Sequence, residues 1–195
     1  MRKIPFSNDL YVVSDSVEQL KKAVDDGATI VQLRDKSSTS TTIVEKSRQI
    51  LDYRKIRAFK FILNDDPDLA IELRVDGIHV GQDTDTRRTR ERIGPHMILG
   101  KTTHSLQQAI LAAEEGADYV SVGPVYATPT KPGRPAVGLA YVREAALGCK
   151  LPFVAIGGID LTNIDDVLDA GARTVAVVRA WADAAELLQR IRARK

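Results

Sequence analysis

The chain has 195 residues, 44% of them hydrophobic and 28% charged, with a formal charge of +2: one domain with a sizeable core, and too little for two. Its basic residues are spread out except in the Arg190 to Lys195 tail, so nothing asks for nucleic acid or a membrane surface. A lone Cys149 excludes a disulfide framework or a cysteine-paired metal, and no signal-like or transmembrane run is present, which makes the expected location cytoplasmic.

Strand-like and helix-like segments then alternate along the chain. Leu10 to Val13 reads as a strand, and Asp15 or Ser16 can cap a helix through Asp26 whose Val17, Leu20 and Val24 fall at helical spacing. Ile30 to Leu33 is the second strand, followed by a helix over Thr41 to Arg54. Phe59 to Leu63 is the third, and Pro67 to Leu73 a short helix that accepts proline in its first turn. Ile78 to Val80 precedes an Arg-rich helix at Thr86 to Ile93, and Met97 to Leu99 precedes a helix at Leu106 to Glu115. Tyr119 to Val122 is the sixth strand, with Leu139 to Ala146 as its helix. Phe153 to Ile156 with Ile164 to Ala170, and Thr174 to Val178 with Asp183 to Ala193, complete the alternation. The basic tail reads as a frayed helix end whose cations suit the helix dipole.

The strands are unbroken apolar runs, as buried parallel strands require. Gly-Ala-x-x-Val recurs at Gly27, Gly116 and Gly171, each time placing glycine where a helix should stop before a strand begins, and Gly77 reads as a similar stop. A doubly wound sheet rarely uses eight such units, and no Gly-x-Gly-x-x-Gly follows the first strand. The expected fold is α/β, a single (β/α)8 TIM barrel over residues 1–195.

In such a barrel the site lies at the C-terminal ends of the strands, and the residues there are polar. The second strand ends in Gln32-Leu33-Arg34-Asp35-Lys36, the third in Asn64-Asp65-Asp66, and the fourth in His79-Val80-Gly81-Gln82-Asp83. The fifth ends in Lys101-Thr102-Thr103-His104, the seventh in Gly157-Gly158 and the eighth in Val178-Arg179. After the sixth comes a long connector, Gly123 to Arg134, in which hydroxyls and Lys131 sit on a proline-stiffened backbone suited to a phosphorylated ligand.

Gly157-Gly158 and the turn after the eighth strand occupy the place where many barrels bind phosphate through backbone N–H groups. Arg34, Lys36 and Lys131 add cations from other strands, enough for a second and larger anion such as a diphosphate. Magnesium prefers one or two carboxylates plus phosphate oxygens and water. Asp66 and Asp85 can serve as helix caps, which leaves Asp65 and Asp83 as metal candidates. His79 and His104 lack zinc spacing; His104 suits acid–base chemistry and helix capping equally, and Tyr126 reads as packing. A diphosphate held by magnesium and cations implies a leaving group, and a monophosphate opposite it implies a second small-molecule substrate.

With these features the chain resembles the thiamine-phosphate synthase family. The matching residues are Val31 to Lys36, Asn64-Asp65, Asp76 to Gln82, Gly123 to Tyr126, Thr128 to Lys131 and Ala155 to Ile159, spread over most of the chain in the family's order. The resemblance implies that hydroxymethylpyrimidine diphosphate is joined to a thiazole phosphate, giving thiamine phosphate and pyrophosphate. It implies that Gln32, Arg34, Lys36, Asn64 and Lys131 hold the pyrimidine diphosphate and Asp65 a Mg2+ ion. Thr102 stands where the family usually has a serine touching the phosphates. Thr128 and Thr130 would face the thiazole phosphate, with Gly158 and the backbone at Val178 and Arg179 around its phosphate. Arg34, Lys36, Lys131 and Thr102 are then the expected catalytic groups.

Three positions depart from the family. Thr84 stands where its second metal carboxylate lies, with Asp83 and Asp85 as neighbours that would replace it. Arg179 replaces a small residue, and the connection Ser14 to Ser16 is short. Two further readings follow: a thiazole tautomerase of the same superfamily, whose motif carries a histidine where His104 lies, and a catalytically silent barrel that binds a thiamine-related phosphate. The state of assembly, including a homo-oligomer, is left open.

Overall fold

The computed structural model describes residues 8–129, 133 and 135–194. Eight parallel strands close into one barrel in the order of the chain: β1 (Asp9–Ser14), β2 (Ile30–Leu33), β3 (Lys60–Asn64), β4 (Gly77–Val80), β5 (Ile98–Thr103), β6 (Tyr119–Val122), β7 (Phe153–Ile156) and β8 (Thr174–Val177). Each strand is followed by a helix: α1 (Val17–Asp25), α2 (Ser40–Tyr53), α3 (Pro67–Leu73), α4 (Thr86–Ile93), α5 (Leu106–Glu114), α6 (Gly138–Gly148), α7 (Ile164–Asp169) and α8 (Ala184–Ala193). The expected α/β barrel is therefore the observed one. Between β8 and α8 lies one turn of tighter helix, Ala180–Asp183, that the apolar periodicity did not reveal.

Closure divides the apolar residues into two layers. Leu10, Val31, Leu63, Ile78, Leu99 and Val175 face outward into a core shared with the helices. Tyr11, Ile30, Ile62, Ile98, Tyr119 and Val154 face inward and fill the barrel. Because both faces of each strand are buried, the strands read as continuous apolar runs and their alternation is hidden.

Helix starts follow the expected chemistry. Ser16, Asp66 and Asp85 are N-caps whose side chains accept from Gln19, Leu69 and Arg88 backbone N–H groups. Gly27, Gly116 and Gly171 take φ of 105°, 93° and 103°. Gly77 is different from what its spacing suggests. It lies inside β4, where an added Cβ would come within 2.7 Å of Ile98, and the left-handed stop of α3 belongs to Arg74 at φ 52°. The basic end is held through Arg194, with Lys195 outside the described residues: Arg190 bonds the Leu161 carbonyl, Asp165 and Glu186, while Arg194 pairs with Asp165 and Asp169. No helix among the described residues is long and apolar enough to cross a membrane.

Candidate active site

The C-terminal ends of the strands surround a cavity of about 360 Å³, within the range of small-molecule sites. It is lined by Gln32, Arg34, Lys36, Asn64, Asp65, Thr102, Thr128, Gly158, Val178 and Arg179, which the sequence had nominated from six different strand ends. Thr130 and Lys131 lie outside the described residues. Asp83 is exposed and does not line the cavity, and Asp85 is the cap of α4. A second cavity of about 370 Å³ adjoins the first and shares Arg34 and Arg179 with it, with Ser14, Gln19 and Trp181 on its far side.

The cationic side is built by the β2–α2 connection. Asp35, between Arg34 and Lys36, has a side chain only 1% exposed. Its carboxylate takes bonds from the backbone N–H groups of Ser37 and Ser38, the Ser37 hydroxyl and Lys46 at 2.6 Å. Lys46 also donates to the Asp15 carbonyl, joining this loop to the one after β1. The Lys46 ammonium and the serine donors hold Asp35 well below the usual carboxylate range. Asp35 thus fixes the turn, and its neighbours extend over the cavity.

Lys36 reaches toward Asp65 at 3.6 Å, a half-exposed pair of little intrinsic strength and open to exchange for a phosphate. Asp65 takes φ 64°, which turns its carboxylate to accept from Asn64 Nδ2 at 2.6 Å and from the Gly81 N–H at 3.2 Å. The loop that carries Gly81 and Asp83 is held from beneath by Lys101. Its ammonium donates to the carbonyls of Gly81, Gln82 and Thr84, and burial pulls it below the ordinary lysine value. Lys101 is therefore a structural cation of the rim.

Opposite stands the Gly157-Gly158 turn, with φ 109° and 67°. A Cβ at Gly157 would come within 2.5 Å of Pro124, and one at Gly158 within 2.8 Å of Tyr126, so the turn must be glycine twice over. Asn163 holds it by donating to the Gly158 carbonyl and accepting from the Asp160 N–H. Tyr126 packs on the outer core, and its buried hydroxyl has no partner among the described residues. His104 does not line the cavity; its Nδ1 donates to the Gly123 carbonyl, which makes it a support of the β6 end.

The floor holds Tyr11, Tyr119 and Ser121, which the sequence offers only as parts of apolar strands, together with His79, which it places at the polar end of the fourth strand without a role in binding. One sequence signal does exist for Tyr119. Gly100 faces it across β5 and β6, and an added Cβ would lie 2.1 Å from the Tyr119 ring.

A closed parallel barrel with cations on one side of a rim cavity and a double-glycine turn on the other defines a phosphate-handling barrel enzyme. The sequence model described as thiamine monophosphate synthase matches residues 7–181. The thiamine-phosphate synthase of Thermus thermophilus is 48% identical over 171 residues, covering 87% of this chain and 82% of that protein. The namesake of Nostoc punctiforme is 42% identical over 176 residues, covering 88% of this chain and only 50% of the relative. A solved thiamine phosphate pyrophosphorylase from Pyrococcus furiosus superposes with a TM-score of 0.88 at 28% identity, covering 98% of this chain and 99% of that one. The chain belongs to the thiamine monophosphate synthase family.

Proposed function

We propose that this protein is a magnesium-dependent transferase that joins hydroxymethylpyrimidine diphosphate to a thiazole phosphate, releasing pyrophosphate and forming thiamine phosphate. The observation that supports it best is that Arg34 and Lys36, after β2, and the Gly157-Gly158 turn, after β7, line one cavity. A reaction joining two phosphorylated heterocycles needs two groups that can bind anions around one cavity, with both phosphates outward and both rings meeting over the floor.

In this reading the bond between the pyrimidine methylene carbon and the diphosphate oxygen breaks, and its electron pair leaves with pyrophosphate. The thiazole nitrogen then forms the new carbon–nitrogen bond with its lone pair. Arg34 and Lys36 face the charge that develops on the leaving group, where fixed cations lower the barrier most. Gln32 on the floor meets the pyrimidine, and the glycine turn with Arg179 receives the thiazole phosphate.

Asp65 offers a hard oxygen donor at the cavity edge, and no cluster of three acidic, histidine or cysteine side chains that would hold a metal is found among the described residues. One carboxylate completed by phosphate oxygens and water is a donor set that magnesium accepts. Asp65 would hold the ion, with Asp83 on the neighbouring loop as its second carboxylate; when bound, the ion supplies charge neutralisation for departing pyrophosphate.

The test is pyrophosphate release from the pyrimidine diphosphate with thiazole phosphate present or absent, and with magnesium present or chelated. Release that requires both is expected. Binding of the substrates without release would instead support a silent barrel. Lys36→Ala should lower turnover by about 2–4 kcal/mol of lost charge stabilisation, and wild-type rates in that variant would remove Lys36 from the site.

A further inference from the structure

Lys101 stands one step before Thr102 on β5, and because successive residues of a strand face opposite ways it lies outside the cavity that Thr102 lines. It is a charged residue only 5% exposed. Its ammonium donates to the carbonyls of Gly81 at 2.8 Å, Gln82 at 2.9 Å and Thr84. An ammonium has three hydrogens and accepts nothing, so three carbonyls use it completely. The Thr84 N–H closes the turn by donating back to the Gly81 carbonyl at 3.2 Å. The connection from β4 to α4 is thus wound around a cation that belongs to the fold.

Burying an ammonium is costly, and an ion pair is the usual compensation. Among the described residues no carboxylate is in ion-pair contact with Lys101; Glu115, Asp83 and Asp85 act on it only from farther away. The charge therefore serves to hold peptide carbonyls. What that fixes is Asp65. The N–H of Gly81 donates to the Asp65 carboxylate at 3.2 Å, and the Asp65 N–H donates to the His79 carbonyl at 2.9 Å. The end of β3 is tied at two points to the end of β4. Asp65 at φ 64° lies in the left-handed region, which a non-glycine residue keeps only where its surroundings determine it. Gly81 and Asp65 both line the cavity, and Lys36 faces the same carboxylate at 3.6 Å.

We propose that Lys101 is a positioning residue: a cation built into β5 that presets the β4–α4 turn and, through the Gly81 N–H, aims the Asp65 carboxylate before any metal ion or diphosphate enters. The order needs no ligand, because every link runs between groups of the chain: Lys101 to the turn, the turn to Asp65, Asp65 to Lys36. This deepens the synthase reading and rests on it for the identity of the ligand at Asp65. Without the ammonium, three carbonyls beneath the turn lose their donor, the turn opens, and the Gly81 N–H leaves the carboxylate. The effect falls on the diphosphate side of the cavity. It spares the Gly157-Gly158 turn, which β7 and Asn163 hold independently.

The first experiment uses the wild-type protein with magnesium chelated and no ligand. Nitrogen-15 NMR of the lysine ammonium groups separates hydrogens held in bonds from those that exchange rapidly with water. Lys101, assigned through its side-chain carbons, is expected to give a resolved, slowly exchanging signal already present before magnesium and inorganic pyrophosphate are added. An ammonium that exchanges as fast as those of exposed lysines, or slows only when these ligands are added, would overturn the proposal. The second experiment uses Lys101→Met, with Lys101→Gln beside it as an uncharged variant that still donates twice. Calorimetric titration with magnesium and inorganic pyrophosphate should show Kd raised about tenfold, the scale of one hydrogen bond to a charged group. KM for the pyrimidine diphosphate should rise with it, while that for thiazole phosphate changes far less. Unchanged binding in a folded variant, or an equal rise for both substrates, would also overturn the positioning role. The wild-type ammonium signal decides the case if neither variant folds. Failure of the synthase reading shows separately, as absent pyrophosphate release by a wild-type protein whose Lys101 ammonium is ordered as expected.

Discussion

Asp35 touches neither the cavity nor a proposed ligand, yet it decides where Arg34 and Lys36 stand. Its side chain is 1% exposed and satisfied by Lys46 and the serines of its own turn. Asp35→Asn should cost about 1–3 kcal/mol of stability, since the substitute cannot accept all these bonds. The pH dependence carries a definite sign. Lys46 and the turn lower the folded value of Asp35, so its contribution is full above the unfolded carboxylate value and fades as pH falls through the depressed one. Denaturant unfolding of both proteins should show a constant gap above about pH 5 that narrows below about pH 4. A gap that widens in acid would mean Asp35 is not stabilised as the carboxylate.

At the scale of the element, helices and strands differ in how much they disclosed. Caps are chemical, so Asp66 and Pro67 placed α3 to the residue, and Thr86 to Ile93 emerged as α4 behind its Asp85 cap. Strand parity was not legible. With both faces of a parallel strand apolar, nothing in Tyr119-Val120-Ser121-Val122 says which hydroxyls look inward. That is why the rim residues were found and the tyrosines of the floor were missed. Lys101 was hidden for the same reason: one step from Thr102 on β5, it points to the opposite side and holds three carbonyls. The α4 start also separates two aspartates that composition left equivalent. Asp85→Ala removes a cap and should lower stability by about 1 kcal/mol without altering the magnesium requirement. Asp83→Asn should leave stability alone and raise the magnesium needed for half-maximal rate. The reverse pairing would transfer the proposed ligand role to Asp85.

For the whole molecule, the relevant fact is closure. The cavity takes lining side chains from every strand, from Tyr11 on β1 to Ala176 on β8, so it exists only while β8 remains paired to β1. A ligand of this cavity binds the folded barrel and not the open chain, and its binding free energy adds directly to unfolding. Pyrophosphate with magnesium at about 100 times its dissociation constant should add about 2.7 kcal/mol. In a chain of this length that corresponds to a rise in Tm of about 5–11 °C, seen as a shift of one transition without broadening. Trp181, the sole tryptophan, borders the adjoining cavity with Arg34 and Arg179, so its fluorescence should report the same binding curve. Lys36→Ala should reduce the shift at equal ligand concentration, because it removes a cation from the rim and leaves the barrel intact. Saturation of the Trp181 signal with an unmoved Tm would show instead that the ligand occupies a place the closed barrel does not create.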